Sequence, residues 1–356
     1  MTPLEETLCA RIARVGPITL AEYMTEALYH PDHGYYTTGQ PLGRDFTTAP
    51  EISQMFGELV GLALAQAWLD QGAPRNAVLA EIGPGRGTLM ADALRATRGV
   101  PGFHDAVRVH LVEVSPSLRA EQARRVPGAT FHDHLSDLPE APLFLVANEL
   151  FDALPLRQFL RDGDGWRERM VGLVDGALGF ALGPRTRLTA LEPRLADTGD
   201  GDAVTLCPAA DALAEEIARR VGSHGGAALL IDYGDDHPRG DTVQALRAGQ
   251  KVDPLDGPGT ADLTAHVDFE ALRTAARPHA AVSRTTPQGV WLERLGITPR
   301  AQALARGLTG AALETHVAAH RRLTHPQEMG TLFKVMGLKP ASAPDLPGLE
   351  FGTGAP

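Results

Sequence analysis

Three glycines at alternate positions, Gly83, Gly85 and Gly87, follow a short apolar run that ends in an acid, Glu81. Residues 78–88 read Val-Leu-Ala-Glu-Ile-Gly-Pro-Gly-Arg-Gly-Thr, and Leu89, Ala93 and Leu94 continue at helical spacing. The pattern is strand, glycine turn, helix. Glycine has no Cβ, so such a turn can tighten and its backbone can approach a ligand. The N–H groups that open the next helix favour an anionic or strongly polar group. This chemistry suits a nucleoside-type cofactor. One βαβ unit later, the mainly apolar run 107–114 ends in Glu113, and Ser115-Pro116 stops it. An acid at the tip of a second parallel strand can accept both ribose hydroxyls. Residues 129–134 read as a third short strand and its exit loop, where Asp133 is a candidate for the adenine amino group, with His134 beside it. The triplet His132-Asp133-His134 raises the question of a metal. Zinc sites need three or four ligands at recognisable spacing, and no second cluster supports one, so no metal is expected.

A fourth apolar run, 143–147, ends in Asn148 and Glu149, with Asp152 three residues further on. Ligands of doubly wound sheets bind at the carboxyl ends of the strands. Asn148, Glu149 and Asp152 are therefore the candidate catalytic residues, against the plainer reading of a capped turn. The spacing of the first turn selects among cofactors. In a dinucleotide fingerprint the third glycine would fall at position 88, which is Thr88. The spacing from Glu81 is instead E-x-G-x-G-x-G, the pattern of class I methyltransferases that bind S-adenosylmethionine. Their loop wraps the methionine part of the cofactor, and the acid meets its ammonium side.

The wider pattern is more specific. The chain resembles the MidA-type class I methyltransferase family, bacterial and mitochondrial proteins linked to assembly of respiratory complex I. The stretches that carry the resemblance are Gly16-Pro-Ile-Thr-Leu-Ala-Glu-Tyr-Met24, His30-Pro-Asp-His-Gly-Tyr-Tyr36, Asp45-Phe-Thr-Thr-Ala-Pro-Glu-Ile-Ser-Gln-Met-Phe-Gly57, Glu81-Ile-Gly-Pro-Gly-Arg-Gly87, Asn148-Glu-Leu-Phe-Asp-Ala-Leu-Pro155 and Ile231-Asp-Tyr-Gly234. They span the N-terminal two thirds. The resemblance implies S-adenosyl-L-methionine as cofactor and arginine N-methylation of a protein, with a complex I core subunit as the partner. It also implies that the segment with Tyr35, Tyr36, Asp45, Thr47 and Thr48 folds over the cofactor, where an ordinary helix connection is the plainer reading.

Methyl transfer from a sulfonium is an in-line displacement, served mainly by proximity and orientation. An arginine nucleophile begins as a guanidinium with a pKa above ~12. Glu149 and Asp152 could hold it in a bidentate pair, and one of them could take the released proton. Amide and adenine N-methyltransferases carry an Asn/Asp-Pro-Pro-aromatic motif after the fourth strand. Here that place reads Asn148-Glu149-Leu150-Phe151, which points toward a cationic substrate. Two other readings stay open. One is a methyltransferase for another nitrogen or a small molecule. The other is an assembly chaperone that binds the cofactor and transfers nothing.

The elements that must position these residues form an α/β, Rossmann-like, seven-stranded class I methyltransferase sheet with an N-terminal helical segment and a β-rich insertion. Residues 1–74 are the N-terminal helical, cofactor-covering segment. Thr19 and Glu22 form a capping box there, and a helix is expected from about Glu51 to Leu69. Residues 75–154 and 208–339 make the core, with strand five at 226–234, strand six at 282–289 and an antiparallel strand seven at 331–336. Residues 155–207 break at many glycines and read as a β-rich, substrate-recognising insertion. The Gly-, Pro- and Asp-rich stretch 234–266 reads as a lid, 267–276 as a helix, and 340–356 as a loosely ordered tail.

Composition sets the frame. The 356 residues, 43% hydrophobic, suffice for one large or two medium domains. A net charge of −11 disfavours nucleic acid and is compatible with a basic protein partner. Cys9 and Cys207 make neither a disulfide framework nor a metal cluster. The acidic start lacks signal-peptide features, and no apolar run is long enough to insert in a membrane. The expected location is the bacterial cytoplasm.

Overall fold

The computed structural model describes residues 1–38 and 47–352. The chain forms two compact units from interleaved segments. One takes the described part of Met1–Phe46 with Asp152–Ala210 and His237–Asp268; the other takes Thr47–Phe151, Asp211–Asp236 and the described part of Phe269–Pro356.

The second unit is built on a mainly parallel sheet. Its strands are β1 (Ala77–Ile82), β2 (Val107–Val112), β3 (Thr130–His132), β4 (Leu143–Asn148), β5 (Gly226–Asp235), β6 (Ala281–Val282) and β7 (Phe333–Lys339). They lie in the order β3-β2-β1-β4-β5-β7-β6. β1 to β5 pair in parallel, and β7 runs antiparallel between β5 and β6. The Rossmann-like seven-stranded sheet expected from the sequence is present, with its reversed seventh strand. β1 and β4 are buried along their whole length, which explains why they are apolar up to Glu81 and Asn148. The sixth strand is shorter than expected. It pairs with β7 at Ala281–Val282 and again at Thr286–Pro287. Pro287 has no N–H to extend the ladder.

The helices α1 (Gln54–Asp70), α2 (Thr88–Ala96), α3 (Pro116–Arg125), α4 (Pro208–His224), α5 (Phe269–Ala276) and α6 (Ile297–Ala305) accompany this sheet. The single helix expected from Glu51 is two. A short turn, Ala49–Ile52, ends at Ser53, whose backbone is extended and whose hydroxyl accepts from Met55 N to cap α1. Gly57 and Gly61, one turn apart on α1, permit its close approach to α2. A Cβ on Gly61 would stand 2.6 Å from Ala93 Cα. Across that contact Glu58, buried, accepts from Arg95 on α2 at 2.6 Å and from Arg300 on α6 at 2.7 and 2.8 Å. The stretch after Pro340, expected to be loose, is packed as far as it is described. Leu346 and Leu349 are buried, and Phe351 bridges to Ser283.

The first unit is helical and antiparallel. Helix Pro3–Val15 opens on a Thr2–Glu5 capping box, and helix Leu20–Tyr29 on the expected Thr19–Glu22 box. Their buried faces, Leu4, Leu8, Ile12, Leu20, Tyr23, Met24 and Leu28, share a core with Leu156, Val171, Leu255 and Leu263. Strand Gly165–Val174 pairs with Arg157–Asp162, Ala177–Thr186 and Ile18–Thr19. The stretch read as a lid is not irregular. It contains a small antiparallel sheet of Gln244–Arg247, Gln250–Val252 and Asp262–Thr264, with Ala245 and Leu263 in the unit's core.

Candidate functional site

The glycine turn after β1 is held in left-handed backbone. Gly83, Gly85 and Gly87 have φ of +65°, +52° and +79°. A side chain on any of them would be strained, and a Cβ on Gly83 would also lie 2.9 Å from Leu150 Cδ1. Gly87 is the residue before α2, so the turn delivers the start of that helix to the carboxyl edge of the sheet.

Glu81, the last but one residue of β1, is fully buried, and its Oε2 has no partner among the described residues. Burial pushes its carboxyl up to about 8. Asn148 ends β4 and is buried; its Oδ1 is likewise without a partner. Buried acceptors normally find donors, so two left over at neighbouring strand ends call for a ligand rich in N–H and O–H.

Glu113 lies just past β2. Its Oε1 accepts from Ser115 N at 2.8 Å and its Oε2 from Gln122 Nε2 at 3.2 Å. Burial raises its pKa, against the pull of these donors. Gln122, on α3, is a residue that the sequence reading did not single out. Its Nε2 also donates to Gly85 O at 2.7 Å, so one amide ties the glycine turn to Glu113. Its Oε1 is a third buried acceptor without a partner. No local pattern marks Gln122, because its role follows from the packing of α3 against the turn. Asp133 is exposed and paired with Arg119 at 2.7 Å. Arg119 Nε donates to Glu113 O at 2.5 Å, so Glu113 and Asp133 are brought together through one guanidinium.

Glu149 sits at φ +51°, a left-handed conformation that costs a non-glycine residue roughly 1–2 kcal/mol. Its Oε1 accepts from Ala49 N at 2.8 Å and from Asn148 Nδ2 at 3.1 Å. Its pKa is raised to about 7, by desolvation first and by the negative charge of Asp232 second. Thr48 precedes the Ala49 turn, so the loop with Thr47 and Thr48 reaches Glu149 through a backbone N–H. Asp45 lies outside the described residues.

Asp152 belongs to the first unit and is buried there; burial raises the pKa of Tyr29 and Tyr36, and the charge of Asp152 adds to the rise. Tyr35 and Tyr36 pack in that unit's core, and Tyr36 Oη donates to Asp262 at 2.7 Å. A cavity of about 310 Å³ in the first unit, lined by Trp166, Arg187 and Glu192 among others, contains none of the candidate residues.

The residues fit a nucleoside that carries an amino-acid arm. Glu81 would hold its ammonium, the glycine turn its backbone approach, Glu113 its ribose and Asp133 its base. A family model described as an S-adenosyl-L-methionine-dependent methyltransferase matches residues 59–288. The mitochondrial protein arginine methyltransferase NDUFAF7 of Xenopus laevis is 36% identical over 367 residues, covering 94% of this chain and 84% of that protein. Its Homo sapiens counterpart is 36% identical, covering 96% and 84%. Among solved structures, a COG1565 superfamily member from Burkholderia thailandensis bound to S-adenosyl-homocysteine matches with a TM-score of 0.83 at 31% identity, covering 97% of this chain and 94% of that one.

Proposed function

The chain belongs to the S-adenosyl-L-methionine-dependent methyltransferase family, and from that premise we propose that it methylates an arginine side chain of a protein, with Glu149 as the carboxylate that receives it. When bound, S-adenosylmethionine supplies an electrophilic methyl group. Glu81, Gly83, Gly85, Gly87, Glu113 and Asp133 hold the cofactor, and Thr47 and Thr48 cover it. Asn148 orients Glu149 through its 3.1 Å hydrogen bond.

The observation that carries this reading is the geometry of Glu149, which follows β4 at φ +51° with its Oε1 accepting from Ala49 N and Asn148 Nδ2. A carboxyl raised to about 7 is poised to exchange a proton at physiological pH. An incoming guanidinium would favour its ionised form and pair with it. As the methyl–nitrogen bond forms and the methyl–sulfur bond breaks, leaving S-adenosyl-homocysteine, the substrate nitrogen would lose a proton and Glu149 would take it. Holding the nitrogen in line with the methyl lowers the barrier by proximity and orientation. The arginine preference draws support from the named activity of the relatives and from an acid where base and amide methyltransferases carry prolines.

The target, following the resemblance, is a core subunit of respiratory complex I, and methylation supports its assembly. The location is the bacterial cytoplasm; Cys9 and Cys207 are not joined in a disulfide, which fits a reducing compartment. No helix among the described residues is long and apolar enough to cross a membrane.

The decisive experiment is methyl transfer by wild type and Glu149→Gln to whole-cell protein from a deletion strain, read by mass spectrometry. Wild type should methylate arginine, and Glu149→Gln should bind S-adenosyl-homocysteine normally while losing turnover by about 100-fold or more. Normal turnover by the variant would remove Glu149 from the mechanism. Methylation of a small molecule or of another nitrogen would redirect the substrate reading, and cofactor binding with no methylated product would leave an assembly chaperone.

A further inference from the structure

Asp232 lies near the end of β5 and is fully buried. Its two oxygens face three backbone donors. Oδ2 accepts from Leu150 N at 3.1 Å and Phe151 N at 2.8 Å, and Oδ1 from Tyr233 N at 2.8 Å. Leu150 and Phe151 are the two residues after Glu149, whose own N–H donates to Ile231 O at 2.9 Å. The end of β5 therefore grips three successive N–H groups of the turn that leaves β4. That turn contains a non-glycine residue at φ +51°, a conformation that persists only where the surroundings over-determine it.

We propose that Asp232 is a positioning residue for methyl transfer: it clamps the 149–151 turn so that Glu149 keeps its left-handed backbone and presents its carboxylate at the end of β4. The inference rests on the reading of Glu149 given above. A carboxylate is required because both of its oxygens accept. An amide there would accept on one side only and turn N–H groups toward backbone donors on the other. Asp232 also acts on Glu149 through its charge. The groups that bear on Glu149 are Asp232, which raises its pKa, and Ala49 N, Asn148 and Arg322, which lower it. Removing the Asp232 charge lets Glu149 ionise at lower pH.

The test compares wild type, Asp232→Asn and Glu149→Gln by S-adenosyl-homocysteine affinity, by kcat against pH, and by amide exchange at Leu150 and Phe151. Asp232→Asn should keep its affinity within about threefold while kcat falls by roughly 100-fold, the loss expected when a reacting group is displaced by an ångström. The acid limb of its residual activity should move to lower pH, and the amides of Leu150 and Phe151 should exchange faster. Unchanged kcat, pH profile and exchange would overturn the proposal. A parallel loss of activity and cofactor affinity with an unmoved pH profile would also overturn it, marking Asp232 as part of general stability. If Asp232→Asn does not fold, exchange in wild type decides: slow exchange at both amides supports the clamp, and rapid exchange overturns it. Full turnover by Glu149→Gln would sink the Glu149 reading separately, because the exchange result does not depend on catalysis.

Discussion

Glu81 is a single buried group whose proton bears on stability and, on the function proposed above, on cofactor binding. Its carboxyl is raised from an ordinary 4.5 to about 8 by burial, with one oxygen unpartnered among the described residues. Between those two values the folded chain holds a proton that the unfolded chain has lost. The favourable contribution of this group is therefore fully present below the unfolded pKa and is lost as pH rises through about 8. A cation bound beside it favours the ionised form. Cofactor binding at pH 7 should then release a proton, seen by titration calorimetry as a heat that depends on the ionisation enthalpy of the buffer. Glu81→Gln should bind more weakly and with buffer-independent heat. Buffer-independent heat in wild type would separate Glu81 from the cofactor ammonium. The residue types here were legible in the sequence: Glu81, Glu113, Asn148 and Glu149 do end or follow parallel strands at one edge of the sheet. Gln122 was not, because nothing in its neighbourhood announces a side chain that donates both to Gly85 O and to Glu113.

At the scale of elements, the turn between β1 and α2 depends on backbone that side chains resist. Gly83 lies at φ +65°, and its added Cβ would meet Leu150 Cδ1 at 2.9 Å. The methyl end of Leu150 can move, but the dihedral penalty remains. Gly83→Ala should lose about 1–2 kcal/mol in chemical denaturation. Its affinity for S-adenosyl-homocysteine should fall by roughly tenfold, the equivalent of 1.4 kcal/mol. Wild-type affinity together with wild-type stability would mean that the turn relaxes without consequence. The five parallel strands, the capping box at Thr19 and the glycine turn were readable from local pattern, because each is fixed by nearest neighbours. The break at Ser53 and the small sheet within 244–264 were not. The first depends on a hydroxyl choosing a cap over continuing a helix, and the second on short pieces that are stable only when packed.

Across the whole molecule, the second unit is tied by contacts far apart in sequence. Glu58 joins α1, α2 and α6 through Arg95 and Arg300, both of which keep part of their guanidinium in solvent. Removing the carboxylate loses several charge-assisted hydrogen bonds and leaves a void at a tight helix contact. Glu58→Ala should cost about 2 kcal/mol, a figure that discounts the solvent screening of the two arginines. Urea unfolding with an unchanged midpoint would show that the three helices are held by apolar packing alone. What the sequence determined by itself was whatever depends on neighbours in the chain: the alternation of strands and helices, the glycine turn, the acids at strand ends, and through them the sheet and the cofactor class. Only the tertiary structure decided which distant segments share a core. Helices before residue 30, Val171 of strand Gly165–Val174 and the sheet of 244–264 bury one another's apolar faces in a single unit, to which Asp152 belongs, while Glu149 belongs to the unit of the parallel sheet. The reason is physical: a hydrophobic face specifies that it must be covered, but not by what, and a buried carboxylate such as Asp232 finds its donors only after the chain has brought them within reach.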